Sequence, residues 1–158
     1  MPRLRPATPA DLPAVVGLIR ELAEFEQLQH LMVATPESMA LHLFGPQPAA
    51  ETVVADLDGA LVGFALFFTT FSTFLGQPGL YLEDLYVQPA HRGTGLGKAL
   101  LRHLGRLALE RGCGRFEWSV LDWNENAIRF YESMGATVMA DWRSCRITGA
   151  KLQALGQP

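Results

Sequence analysis

The stretch from Leu80 to Gly112 constrains the fold more than any other. Leu80 to Val87 is an apolar strand pattern ended by Pro89. The glycine-rich segment Arg92 to Gly97 follows, and then Leu96, Leu100, Leu104 and Ala108 recur on one helical stripe closed by Gly112. Arg115 to Leu121 reads as the next strand. Two strands joined by a helical crossover run parallel, so part of the sheet in this chain is expected to be parallel.

The rest of the chain supplies the remaining layers. After a short strand at Leu4 and Arg5, Thr8-Pro9-Ala10-Asp11 combines a capping hydroxyl, an early proline and an acid, a helix start. Leu12, Val15, Val16, Ile19, Leu22 and Ala23 carry that helix to about Gln29. Thr35-Pro36-Glu37 opens a second helix, which Gly45-Pro46 stops. Thr52 to Asp56 and Leu61 to Thr70 form strands around an Asp58-Gly59 hairpin turn. Asn124 caps a helix that ends at Gly135, and Thr137 to Ile147 reads as a last pair of strands. The order β-α-α-β-β-β-α-β-α-β predicts an α/β or α+β fold around one sheet.

A length of 158 residues, 49% of them hydrophobic, predicts a single domain, 1–158, with a core large enough to stand without metal or disulfide. The net charge of −3 argues against a nucleic-acid-binding surface, which would show as a basic stripe. Cys113 and Cys145 have no metal-ligand spacing and suit a reducing compartment. The chain opens without a charged-then-apolar leader, and its longest apolar stretch, Ala60 to Phe68, is too short to span a bilayer. These features predict a soluble cytoplasmic protein.

Three glycines alternate in His91-Arg92-Gly93-Thr94-Gly95-Leu96-Gly97-Lys98. A turn without side chains lets successive backbone N–H groups converge on one anion, and the following helix adds its own unpaired amides. Arg92 and Lys98 supply positive charge. The Walker pattern fails, because Ala99 stands where Ser or Thr holds magnesium and Arg92 occupies the first glycine position. The dinucleotide fingerprint fails on glycine spacing. A turn made for tight strand–helix packing is the alternative.

In Leu80-Tyr81-Leu82-Glu83-Asp84-Leu85-Tyr86-Val87, two adjacent carboxylates interrupt an apolar strand. Strict alternation places Glu83 with Tyr81, Leu85 and Val87, and Asp84 with Leu80, Leu82 and Tyr86. One carboxylate therefore faces apolar neighbours, which demands a partner, a raised pKa or a cleft. The functional reading is a general base or cation-binding acid; the structural one is a pair with Arg5 or an edge-strand device. Glu26 similarly ends the apolar line of the first helix, either as an acid aimed at a cation or as a solvated helix end.

Together these segments resemble the GNAT superfamily of acetyl-CoA-dependent N-acetyltransferases. Arg92-Gly93-Thr94-Gly95-Leu96-Gly97 matches the family's acetyl-CoA signature R/Q-x-x-G-x-G/A between a strand and a helix. Leu4 to Thr8, Glu21-Leu22-Ala23, Tyr81 to Asp84, Trp123-Asn124-Glu125 and Phe130-Tyr131 extend the likeness to the diamine (spermidine/spermine) and thialysine N-acetyltransferase group. The resemblance spans Leu4 to about Ile147. It implies a mixed sheet of about six to seven strands, flanked by about four helices, with a V-shaped split between its two central strands.

The resemblance also implies roles. The backbone of Leu85, Tyr86 and Val87 would hold the pantetheine arm of acetyl-CoA, the co-substrate, and Arg92, Gly93, Thr94, Gly95, Leu96, Gly97 and Lys98 its pyrophosphate. Asn124, Glu125, Asn126 and Ala127 would complete the cofactor site. Tyr131 matches the acid that protonates the departing thiolate, and Glu83 the base. Phe25, Glu26, Glu83 and Asp84, with Glu117, Trp118 and Ser119, fall on the amine side. No metal is implied. The implied partner is a small amine, and a homodimer is the expected assembly.

One departure bears on the substrate. Thr70-Phe71-Ser72-Thr73-Phe74 carries Ser72 and Phe74 where polyamine-acetylating members of the group have an acid and a tryptophan. That removes a charge for a second ammonium and leaves a small diamine, a polyamine, or a thialysine-like amino acid as candidates. Protein or peptide N-acetylation and a non-catalytic acyl-CoA-binding module are the competing functions.

Overall fold

The computed structural model describes residues 1–158. It divides into two compact units, Met1–Ser119 and Val120–Pro158. The first holds five strands, β1 (Arg3–Pro6), β2 (Glu51–Leu57), β3 (Ala60–Ser72), β4 (Gln77–Val87) and β5 (Arg115–Trp118), and three helices, α1 (Leu12–Phe25), α2 (Pro36–Phe44) and α3 (Leu96–Glu110). The second holds α4 (Glu125–Ser133) and α5 (Gly149–Gly156).

The strands lie in sequence order, antiparallel from β1 to β4, with β5 parallel to β4. The mixed sheet and its parallel crossover are as the sequence pattern predicts. Asp58 and Gly59 both take positive φ (54° and 91°), which matches the twist of the β2–β3 hairpin. The α2 helix begins at its capping sequence, whereas Thr8 and Asp11 cap a short 3-10 turn, Pro9–Asp11, that leads into α1. The Asp11 carboxylate accepts the Thr8 N–H at 2.7 Å, and Thr35 and Ser38 exchange backbone-to-side-chain bonds.

Both faces of the sheet are covered, since consecutive residues Val53, Val54 and Ala55, and Phe64 and Ala65, are all buried. On one face Val15, Leu18 and Leu22 of α1 pack with Val54, Phe64 and Tyr86. Leu96, Leu100 and Leu104 form the buried stripe of α3, which packs on β4 and β5. Arg5 joins β1 to the start of α1. Its guanidinium bonds Asp11 at 2.7 and 2.9 Å and Asp56 at 2.9 Å.

Three expectations change. The first helix stops at Phe25, short of Gln29, because Gln27 adopts φ 60° and turns the chain. The strand beginning at Arg115 ends at Trp118, short of Leu121. Thr137 to Ile147 forms no strand, so the sheet has five strands where six to seven were expected, and α5 is an additional helix. Backbone amides in that segment serve local turns, Ala140 to Val138 and Trp142 to Met139, and the side chains from residue 137 onward are exposed. A segment that buries nothing on either face has no force to set a ladder register.

Candidate functional site

The parallel ladder between β4 and β5 runs Gly79–Arg115, Leu80–Phe116, Tyr81–Glu117 and Leu82–Trp118, and then stops. β4 continues from Glu83 to Val87 without a partner on that side. The resemblance implies a split between two central strands; here the ladder parts beyond Leu82, but β5 is the edge strand of the five-stranded sheet rather than a central one. An unpaired stretch of strand offers N–H and C=O groups at strand spacing, a template for an extended ligand arm. At the mouth of the split, the Tyr81 hydroxyl and Ser119 Oγ lie 2.8 Å apart.

A β-bulge falls at the same point. Leu66 of β3 pairs with Asp84 and Phe67 with Leu82, so Glu83 is the extra residue. This corrects the face assignment expected from strict alternation. Below the bulge Tyr81 faces with Phe68, its ring stacked at 5.1 Å; above it Asp84 faces with Leu66 and Tyr86 with Phe64. Tyr81, Asp84 and Tyr86 therefore share the α1-facing side, although Tyr81 and Asp84 are an odd three positions apart. Glu83 is exposed, and Asp84 is half-buried.

Burial is the main cause that lifts the Asp84 carboxyl to about 6, and the negative charges of Glu83 and Glu26 add to it. Burial also raises Glu26 above the usual carboxylate range. Neither strand acid pairs with Arg5, which is committed to Asp11 and Asp56. The structural alternative of an Arg5 pair is thus excluded.

The glycine turn leads from β4 into α3. Gly93 and Gly95 hold φ of 75° and 86°, a region that side-chain-bearing residues rarely enter. A Cβ placed on Gly93, Gly95 or Gly97 would meet nothing within 4 Å. Tight packing therefore does not explain these glycines, and open space over the turn suits a bound anion. Gly95 caps α3, leaving the first-turn amides of Leu96, Gly97 and Lys98 without intrahelical acceptors. Thr94 braces the turn by donating its hydroxyl to the His91 carbonyl at 2.6 Å. These features fit the pyrophosphate of a CoA ester.

Arg92 is tied to the sheet as well as to the turn. Its Nε–H donates to the Val87 carbonyl at 2.9 Å, and its guanidinium carbon lies 5.2 Å from the Phe25 ring centroid and 5.5 Å from that of Tyr86. The resemblance implies the amine side alone for Phe25; the structure brings it to Arg92 at the start of the glycine turn. Nothing local in the sequence connects residues 25 and 92.

On β5, Glu117 lies 3.9 Å from Arg115 and Trp118 packs edge-on against Phe116 at 5.0 Å. Ser72 accepts bonds from the Leu75 amide and the Arg115 guanidinium, so it serves the β3–β4 turn, while Phe74 is fully solvent-exposed. A cavity of about 310 Å³ lies elsewhere, among β2, α3 and the end of α2, where Arg111 and Glu51 close on each other at 2.6 Å.

In the second unit, Asn124 caps α4 by accepting the Ala127 amide at 3.3 Å. Glu125 pairs with Arg129 one turn on, and Asn126 is exposed. Tyr131 is half-buried beside Phe130, ring centroids 5.5 Å apart. Its carbonyl accepts the Ala136 amide at 3.1 Å, with Gly135 at φ 98°, so Tyr131 sits in the last turn of a helix stopped by a Schellman motif.

Comparison with known proteins identifies the family. Residues 19–136 match the model of the acetyltransferase (GNAT) family. The chain is 37% identical to an L-ornithine N5-acetyltransferase of Arabidopsis thaliana, over 97% of this chain and 87% of that protein. It is 35% identical to a thialysine N-epsilon-acetyltransferase of Mus musculus, over 97% and 96%. Among solved structures, an integron cassette protein from the mobile metagenome of V. cholerae superposes with a TM-score of 0.82 at 24% identity, covering 99% of this chain and 98% of that one.

Proposed function

Because the chain belongs to the GNAT family of acetyltransferases, we propose that it moves the acetyl group of acetyl-CoA to a primary amine on a small cationic compound. Attack is direct, within a ternary complex. The observation that carries this reading is the split beyond Leu82, where a free strand edge, a glycine turn and two adjacent carboxylates lie on one continuous segment from Glu83 to Lys98.

The chemistry asks for each part. An alkyl ammonium, with a pKa of about 10.4, cannot attack until it loses a proton, so a carboxylate beside the thioester both attracts it and promotes deprotonation. The pantetheine arm takes the strand edge at Leu85 to Val87, and Gly93 to Lys98 take the pyrophosphate. As the amine adds, charge grows on the thioester oxygen, and the backbone N–H of Val87, on the edge of β4 turned away from β3, stabilises it. Asn124 to Ala127 complete the cofactor site and Tyr131 protonates the leaving thiolate; both assignments rest on the family resemblance.

Ornithine and thialysine, the substrates in the names of the two relatives, are α-amino acids with a side-chain primary amine. Ser72 and Phe74 supply no carboxylate for a second distant ammonium, which favours an amino acid or a short diamine over a long polyamine. A thiol-release assay with acetyl-CoA against ornithine, thialysine, lysine, short diamines, spermidine and peptides tests the reading. Turnover with the small amines is the expected result. Turnover with peptides alone would make the protein a peptide acetyltransferase, and tight CoA binding with no turnover would make it a binding module.

A further inference from the structure

Two carboxylates stand side by side at the split, and their surroundings differ. Glu83 is the bulged residue and is exposed. Asp84 is turned to the α1 side, paired across the ladder with Leu66 and on the same face as Tyr81 and Tyr86. It is the first carboxylate on that face beyond the last β4–β5 pair, Leu82–Trp118. We infer that Asp84, rather than Glu83, receives the proton of the substrate ammonium, and that Glu83 and Glu26 contribute attracting charge. The inference rests on the amine-acetylation reading above and assigns a role within it.

The groups around Asp84 support the division. From α1 the charged group felt by Asp84 is Glu26, and on its own strand it is Glu83; both are negative. From β3 the residues on this face are Phe64, Leu66 and Phe68, none of them titratable. None of the five ion pairs in the structure involves Glu26, Glu83 or Asp84. Arg92, the nearest cation in sequence, is engaged with Val87 and two rings. A carboxyl at about 6 is ionised at neutral pH yet a far better proton acceptor than an exposed one.

The ammonium N–H bond breaks, its proton forms an O–H bond on Asp84, and the neutral amine attacks the thioester carbonyl carbon with its lone pair. The C–S bond then breaks with its electron pair going to sulfur, which takes a proton, and the new amide nitrogen sheds its second proton to solvent. Asp84 releases its proton to water, so the net products are the acetamide, free CoA thiol and one proton.

The pH dependence of kcat/KM, measured with the best small amine of the panel, tests the assignment. In the wild type, kcat/KM should fall tenfold per pH unit below about 6. Asp84→Asn should lose that acid limb and at least about 100-fold in kcat/KM. Glu83→Gln should keep the limb at a reduced rate. A limb that survives in Asp84→Asn or vanishes in Glu83→Gln overturns the assignment while leaving amine acetylation standing. Absence of turnover with every amine overturns both. Carbon-13 NMR of the Asp84 carboxyl in the wild-type protein gives a second measurement that needs no variant. A midpoint matching the kinetic limb supports the role, and one near 4 refutes it.

Discussion

The guanidinium of Arg92 lies 5.2 Å from the ring of Phe25, so the end of α1 and the glycine turn are joined through one cation–π contact. The two residues are 67 positions apart along the chain. An exposed contact of this kind contributes about 0.5–1 kcal/mol. Phe25→Ala should therefore weaken acetyl-CoA binding about two- to five-fold, with kcat nearly unchanged. Calorimetric titration with CoA checks this. A change confined to the KM of the amine would return Phe25 to the amine side alone.

The raised carboxyl of Asp84 makes a stability prediction that needs no substrate. Its folded value of about 6 lies above the ordinary 3.8, so the folded state holds this proton more tightly than the unfolded state does. Ionised Asp84 therefore destabilises the fold above pH 6, and the penalty disappears as pH falls from 6 towards 4. At pH 8, Asp84→Asn should raise the stability by up to about 3 kcal/mol, and by pH 4 the gain should be largely gone. Denaturant melts at both pH values decide it; a destabilised Asp84→Asn at pH 8 would contradict the burial argument.

Gly95 and Gly97 separate conformation from space. Gly95 sits at φ 86°, so Gly95→Ala should cost about 1–2 kcal/mol of stability and distort the start of α3. Gly97 lies in helical conformation with open space where a Cβ would go, so Gly97→Ala should leave stability unchanged or raise it by up to about 1 kcal/mol. Both should weaken CoA binding, because a methyl group at either position enters the space over the amides. Undiminished CoA affinity in Gly97→Ala would remove that residue from the phosphate cradle.

Tyr131→Phe tests the thiolate acid. The predicted outcome is a loss in kcat of about 100-fold with little change in CoA affinity, since general acid catalysis is worth that much. Wild-type kcat in the variant would leave Tyr131 as a packing residue of α4.

Much of the fold and part of the site could be read directly from short stretches of chain. The hairpin at Asp58-Gly59, the capped starts at Thr8 and Thr35, the glycine turn and the Asn124 cap depend on residues within a few positions of each other. Local sterics and local hydrogen bonds decide such features, and these appear in sequence as residue types at fixed spacing. The two carboxylates in an apolar strand were visible in the same way, as an inconsistency that a partner, a raised pKa or a cleft had to resolve.

Which carboxylate is buried was not visible. Alternation gave Glu83 the company of Tyr81, and the bulge gave that place to Asp84. The extra residue is set by how β3 and β4 register against each other, residues 66 and 84 being 18 apart along the chain. The same holds for the end of the β4–β5 ladder at Leu82 and for the Phe25–Arg92 contact. Thr137 to Ile147 shows the converse, a strand-like sequence that forms none because nothing pairs with it. The sequence by itself determined the elements available: a glycine-rich turn at a helix start, an acid pair and a parallel crossover. The tertiary structure decided which acid meets the apolar side and where the sheet parts, because register and burial are properties of strands brought together from distant positions.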